Sequence, residues 1–284
     1  MDKERILAAD FSADGAFTVV RYGDQSAPKV SVLDNTKRTW IPLDLTAFTA
    51  AWAPNRPILA IFGEQQGKIG LWLTDFSKKK PAAASVANLT ALDIDVGWAD
   101  SDTVVMWSRG ANSAPGNIWT YSQKNGLRLV SDSIPGLSAK GYGNGYYGIF
   151  SSGQSGERGG TFSLFRASGE GVGNAPLLTL PEKCSAWQTS TTASASDTAA
   201  IICATPRDQG ALVNKFLPDE YQRGDYQGSD DFFLVNLPSL TSQVAYTNEY
   251  APIDAWSMVS SEGALLMSDR YSSKLYGLIP PKTK

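Results

Sequence analysis

Ala50-Ala51-Trp52-Ala53-Pro54-Asn55-Arg56 ends an apolar run on a large ring and then breaks it with proline and asparagine. That order, strand then ring then turn, recurs along the chain. It reads A-D-F-S-A-D-G around Phe11, V-G-W-A-D-S-D around Trp98, K-G-Y-G-N-G around Tyr142, S-A-W-Q-T-S around Trp187 and D-A-W-S-M-V around Trp256. The six rings stand 41, 46, 44, 45 and 69 residues apart. A period of roughly 40 to 50 residues is the size of a four-stranded propeller blade.

The residues between the rings support this reading. A second apolar run follows each turn, at 17–20, 58–62, 103–107, 146–150, 199–203 and 264–267. A third, alternating run follows at 29–33, 68–73, 117–121, 161–165, 232–235 and 274–278. Polar breaks such as Lys124-Asn125-Gly126 then introduce a fourth short strand, as at 39–43 and 127–130. No helical periodicity extends beyond a turn or two. The expectation is an all-β chain: a six-bladed β-propeller of four-stranded antiparallel blades, forming one domain over 1–284. The recurring rings Phe11, Trp52, Trp98, Tyr142, Trp187 and Trp256 are expected to pack between blades.

The segments F-S-A-D-G at 11–15 and W-A-P-N-R at 52–56 resemble the W-S-P-D-G motif of the WD40-like repeats of TolB-type propellers. The resemblance runs along nearly the whole chain as a repeat pattern, and Tyr142 replaces the tryptophan in the fourth copy. It implies the fold far more specifically than the function, because the motif occurs in binding proteins, protease-associated domains and sensors alike.

Two departures from the repeat matter. The fifth copy carries about 25 extra residues, at 206–230, between its second and third strands. The sixth copy stops after its third strand, near Leu278. Its missing outer strand is expected to come from residues before Ile6, or else the last blade is three-stranded or the native chain extends upstream.

The chain contains no histidine, which excludes imidazole-dependent hydrolysis and histidine-ligated metals. No nucleophile elbow forms at Ser155 without its base, and no catalytic residue is assigned. The glycine-rich stretches at 141–148 and 153–160 lack the Lys-Ser/Thr ending of a phosphate loop and read as turns. Asp93, Asp95, Asp100 and Asp102 match no calcium-loop spacing and read as solvated turn carboxylates, as do Asp230 and Asp231. No metal and no cofactor are expected. A formal net charge of -3 without a basic stripe argues against nucleic acid as a partner.

Cys184 and Cys203 fall on the two strands of one hairpin, centred near Ala193, and would face each other across it. A disulfide is the favoured reading, with two buried thiols as the alternative. A bridge would indicate an oxidising compartment, and so an extracytoplasmic protein whose signal or anchor is not in this sequence.

The best functional lead is the insertion, which combines Arg207, Lys215, Phe216, Tyr221, Arg223, Asp225 and Tyr226. Tyr146 and Tyr147 rank second. The expected function is a non-enzymatic, monomeric propeller of the cell envelope or exterior that docks a protein or surface polymer and does not insert into a membrane. The alternatives are a glycan-active enzyme, with carboxylates drawn from Asp102, Glu157, Asp208 and Asp225, or a lectin-like sugar-binding propeller.

Overall fold

The computed structural model describes residues 5–91, 93–187, 199–249, 252–261 and 264–279. The chain divides into two compact units, one of residues 1–109 and 117–131 and the other of residues 110–116 and 132–284. Among the described residues no helix is long and apolar enough to cross a membrane.

In the first unit, seven strands pair antiparallel in chain order: β1 (Ile6–Phe11), β2 (Phe17–Gly23), β3 (Pro28–Asp34), β4 (Thr39–Trp52), β5 (Ile58–Gln65), β6 (Lys68–Asp75) and β7 (Ala84–Asn88). A four-stranded sheet follows, of β8 (Ile94–Trp98), β9 (Thr103–Ser108), β10 (Gly116–Ser122) and β11 (Gly126–Ile134). The second unit begins with β12 (Ser138–Gly141), β13 (Tyr146–Ser151), β14 (Thr161–Arg166) and β15 (Gly171–Asn174). Next come β16 (Cys184–Trp187), β17 (Ala200–Pro206), β18 (Asp230–Asn236) and β19 (Ser242–Tyr246). The last sheet has three strands, β20 (Ala255–Ser261), β21 (Ala264–Asp269) and β22 (Leu275–Leu278).

The strands thus fall where the sequence places them, but the expected six separate four-stranded blades are corrected. Among the described residues there are five sheets, and only three of them have four strands. The reason is local. Residues 39–52 contain no glycine or asparagine to end a strand, so β4 runs unbroken for 14 residues. It pairs with β3 through 39–46 and with β5 through 46–52, fusing two repeats into one sheet. Among the described residues the last sheet ends after its third strand; of the expected source of a fourth, the residues before Ile6, all but Arg5 lie outside the described residues.

Inner strands show why propeller repeats read as apolar runs. Every residue of β17 is buried and β5 is nearly so, because both faces of such a strand are covered. The first three repeat turns close by one device. The backbone N–H just after the ring donates to the first residue of the next strand, from Ser12 to Phe17, Ala53 to Ile58 and Ala99 to Thr103, at 2.8–2.9 Å. The aspartates of these turns then accept nearby backbone N–H groups, as Asp100 does from Asp102 and Thr103 at 2.8 and 2.7 Å.

Two of the rings are tied to the preceding repeat. Trp52 donates its indole N–H to Asp10 O at 3.2 Å, and Trp98 donates to Ala51 O at 3.0 Å. Each acceptor is the residue just before the previous ring. Trp98→Phe should therefore cost about 0.5–1.5 kcal/mol, from the loss of one part-buried hydrogen bond, beyond any loss of ring packing. Thermal unfolding of the variant tests this, and an unchanged transition would reduce the indole to ring packing alone. Trp52, Trp98 and Tyr142 are buried, and Trp187 and Trp256 are half-buried. Phe11 departs from the expectation: it is 66% exposed.

Tyr142, the weakest copy, is accommodated by a glycine. A Cβ at Gly148 would stand 2.5 Å from the Tyr142 hydroxyl and 2.5 Å from the Phe162 ring. The G-Y-G-N-G-Y-Y-G stretch is thus a hairpin, turning through Gly143 and Gly145 at positive φ, and not a phosphate loop.

Cys184 and Cys203 are directly opposed across β16 and β17 and form a disulfide. The turn expected near Ala193 lies outside the described residues.

Candidate functional site

The insertion between β17 and β18 is a folded element. Asp208 accepts the N–H of Ala211 at 3.1 Å and starts helix α1 (Gln209–Val213). Pro218 precedes α2 (Asp219–Arg223), whose first turn carries Asp219 and Glu220 against the positive end of the helix. Gly224, at φ 86°, ends it in the left-handed conformation. Leu212, Leu217 and Tyr221 turn inward and pack with Phe150 and Leu180, flanked by Leu178, Tyr226 and Trp256. Backbone bonds fasten the segment: Gly159 N–H donates to Lys215 O at 2.8 Å, and the Asn112 amide donates to Leu217 O at 3.3 Å. Asp219 accepts the Asn112 N–H at 3.0 Å.

Beneath α2 lies a buried ionic cluster. Lys183, at the end of a 3-10 helix (Pro181–Lys183), is 1% exposed. Its Nζ stands 2.7 Å from Asp230 Oδ2 and 2.7 Å from Asp254 Oδ1. Both carboxylate side chains are fully enclosed. The Tyr221 hydroxyl donates to Asp254 Oδ1 at 2.5 Å, and the Ala255 N–H donates to Asp230 Oδ2 at 2.7 Å. The Tyr221 ring is contacted by two cations, with Lys183 Nζ 5.0 Å and the Arg270 guanidinium carbon 4.3 Å from its centre. Arg270 also donates to Gln222 O at 2.7 Å. Burial pushes the Asp230 carboxyl up to about 6, against the opposing pull of Lys183. Burial, reinforced by the neighbouring Asp254 charge, holds the Tyr221 phenol far above its usual range.

Three of the proposed surface contacts are corrected by burial. Tyr221 is 1%, Tyr146 6% and Tyr147 0% exposed, so all three are packing residues. Tyr147 stacks on Phe165, and burial raises its phenol to about 12. Asp230, expected as a solvated turn carboxylate, is instead a core group of the cluster. Reading the segment as a surface loop missed that its apolar residues would close over a charged site. The signal available was Asp254, two residues before Trp256, where the first three repeats have Ala9, Ala50 and Val96.

The remaining insertion residues face outward or stand at the rim. Arg207 pairs with Asp231 at 2.9 Å and donates to the Asn248 carbonyl. Arg223 pairs with Asp225 at 2.9 Å, and Lys215 reaches Asp225 O at 3.3 Å. Tyr226 is half-buried. Phe216 lies on the surface with the Arg158 guanidinium 4.9 Å from its ring centre, and Val213 beside it is 53% exposed.

The other carboxylates have local partners. Asp95 holds Arg109 through two bonds at 2.7 and 3.0 Å, Asp102 pairs with Arg56 at 2.7 Å, and Glu157 accepts the Gln154 N–H at 3.0 Å. Among the described residues no group of three metal-ligating side chains converges. A cavity of about 570 Å³ in the first unit is lined by Arg56, Ile58, Leu73, Trp98, Tyr121 and Lys124 among others, with Asp102 on its rim.

No family model and no curated protein matches this sequence. Solved structures do match. An acylaminoacyl peptidase in complex with Z-Gly-Gly-Phe-chloromethyl ketone is similar over 97% of this chain and 45% of its own, at TM-score 0.60 and 9% identity. The β-propeller domain of the Trilobed protease from Pyrococcus furiosus is similar over 96% of this chain and 81% of its own, at TM-score 0.56 and 10% identity. TolB from Acinetobacter baumannii is also among the matches, over 84% of this chain and 53% of its own, at TM-score 0.46 and 10% identity. This chain thus spans about half the length of TolB and of the peptidase. The likeness to the peptidase and to the protease propeller, at these identities, establishes one thing, the all-β propeller fold.

Proposed function

We propose that this chain is a non-enzymatic binding propeller of an extracytoplasmic compartment, and that its insertion is the surface that docks a protein or surface polymer. The observation that carries the reading is the state of the insertion: it is fixed from beneath by Tyr221 and the Lys183 cluster while Val213, Phe216, Arg158 and Arg223 remain on its outer side. A pre-ordered surface loses little entropy on binding, and exposed rings beside arginine are common binding anchors. The disulfide supports an oxidising compartment.

Val213→Asp with Phe216→Asp should leave the chain folded at a cost of about 1–2 kcal/mol, because Val213 is 53% exposed and Phe216 36%. It should weaken partner capture by about ten-fold or more. Quantitative affinity capture from an envelope fraction, comparing parent and variant, tests this. The same proteins or polymers recovered in equal amounts from both would remove the insertion as the docking surface.

A second reading, carbohydrate capture, is favoured by the cavity that Tyr121 and Trp98 line in the first unit. Glycan-array binding that is lost in Tyr121→Ala would favour it over the insertion.

A further inference from the structure

The cluster beneath α2 sets one ammonium against two carboxylates in a site closed to water. With both aspartates ionised, Lys183 balances only one of the two charges. Asp254 must also serve Tyr221 through Oδ1, while its Oδ2 is buried with no hydrogen-bond partner among the described residues. Further charges face the group from every packed element. Arg270 lies over the Tyr221 ring, Asp269 accepts the Asp254 N–H at 3.0 Å, and the Tyr226 phenol is pushed up by burial and lies in the fields of Lys183, Asp230, Asp208 and Asp254. Asp231, the next residue along β18, is turned outward to Arg207. Counting Arg270 and Asp269, the set of two cations and three carboxylates still carries one negative charge in excess, and it is costly where Asp230 and Asp254 are enclosed.

We infer that the cluster is a proton-linked latch, in which proton uptake by Asp230 on mild acidification tightens the hold of the Lys183 site on the insertion. This rests on the insertion being the docking surface and adds its regulation: the surface is held most firmly in a mildly acidic medium. When Asp230 is neutral, Lys183 and Asp254 form a single balanced ion pair. Asp254 keeps its bond from Tyr221, and the repulsion between the two carboxylates disappears. The direction follows from linkage. Asp230 binds its proton more tightly in the closed state than in an opened, solvated one. Its stabilising contribution is fully present below the ordinary aspartate range and is lost as pH rises through about 6.

Hydrogen exchange of the amides in 219–224, corrected for intrinsic rates, reads the latch directly and needs no partner. Between about pH 7.5 and pH 5.0, protection should rise about ten-fold in the parent. It should stay flat in Asp230→Asn, which keeps the shape of the side chain and removes its charge. Equal protection at both pH values in the parent, or an unchanged rise in the variant, overturns the latch. If the variant does not fold, carbon-13 NMR of the parent's carboxyl groups decides: a titration midpoint for Asp230 in the range of exposed aspartates overturns the proposal. Failure of partner capture with intact pH-dependent protection would count against the docking role alone.

Discussion

Lys183→Met will destabilise the second unit by about 3–5 kcal/mol, because it leaves Asp230 and Asp254 buried with no cation between them. The loss comes from stranded charge more than from missing contacts. Methionine is close to lysine in length and fills much of the same space. Adding Asp230→Asn and Asp254→Asn to the same chain should recover much of the stability, since neutral amides carry no uncompensated charge and can still accept from Tyr221 and Ala255. Urea denaturation of the single and triple variants measures both effects. A single variant within about 1 kcal/mol of the parent would show that the cluster is open to water or that its charges are already neutralised.

Removing the bridge with Cys184→Ala and Cys203→Ala should cost about 3 kcal/mol, the loop-closure entropy expected for a separation of 19 residues. The β16–β17 ladder continues beyond the bridge through three more residue pairs, from Ser185 with Ile202 to Trp187 with Ala200, and should survive. The stability loss should therefore appear without loss of strand signal in circular dichroism. Parent protein treated with a reductant should shift by the same amount once both sulfurs are reduced. A variant as stable as the parent would mean that the bridge gives no net stabilisation. The two predictions concern neighbouring residues of one strand entry, Lys183 and Cys184, and are not expected to add simply.

Much of the architecture was legible in the residues. The strands at 17–20, 58–62, 103–107 and 146–150 were marked by apolar runs between turn formers, and the structure has strands there. The facing of Cys184 and Cys203 followed from hairpin register alone. Two things were not legible. One was the fusion of two repeats along β4, which depends on a missing turn signal between residues 39 and 52. The other was the fate of the insertion, whose Tyr221 resembled a surface anchor by composition but is a core residue.

The local order of this protein, ring then turn then strand, belongs to the sequence by itself, because it needs only neighbouring residues: a turn former to reverse the chain, an alternating run to pair, two cysteines in register. The candidate site belongs to the tertiary structure. Lys183, Tyr221, Asp230 and Asp254 are spread over 72 positions of the chain and carry no shared motif. Only packing excludes water around them, and without that exclusion four ordinary polar side chains would have neither the shared proton chemistry nor the hold on the insertion described above.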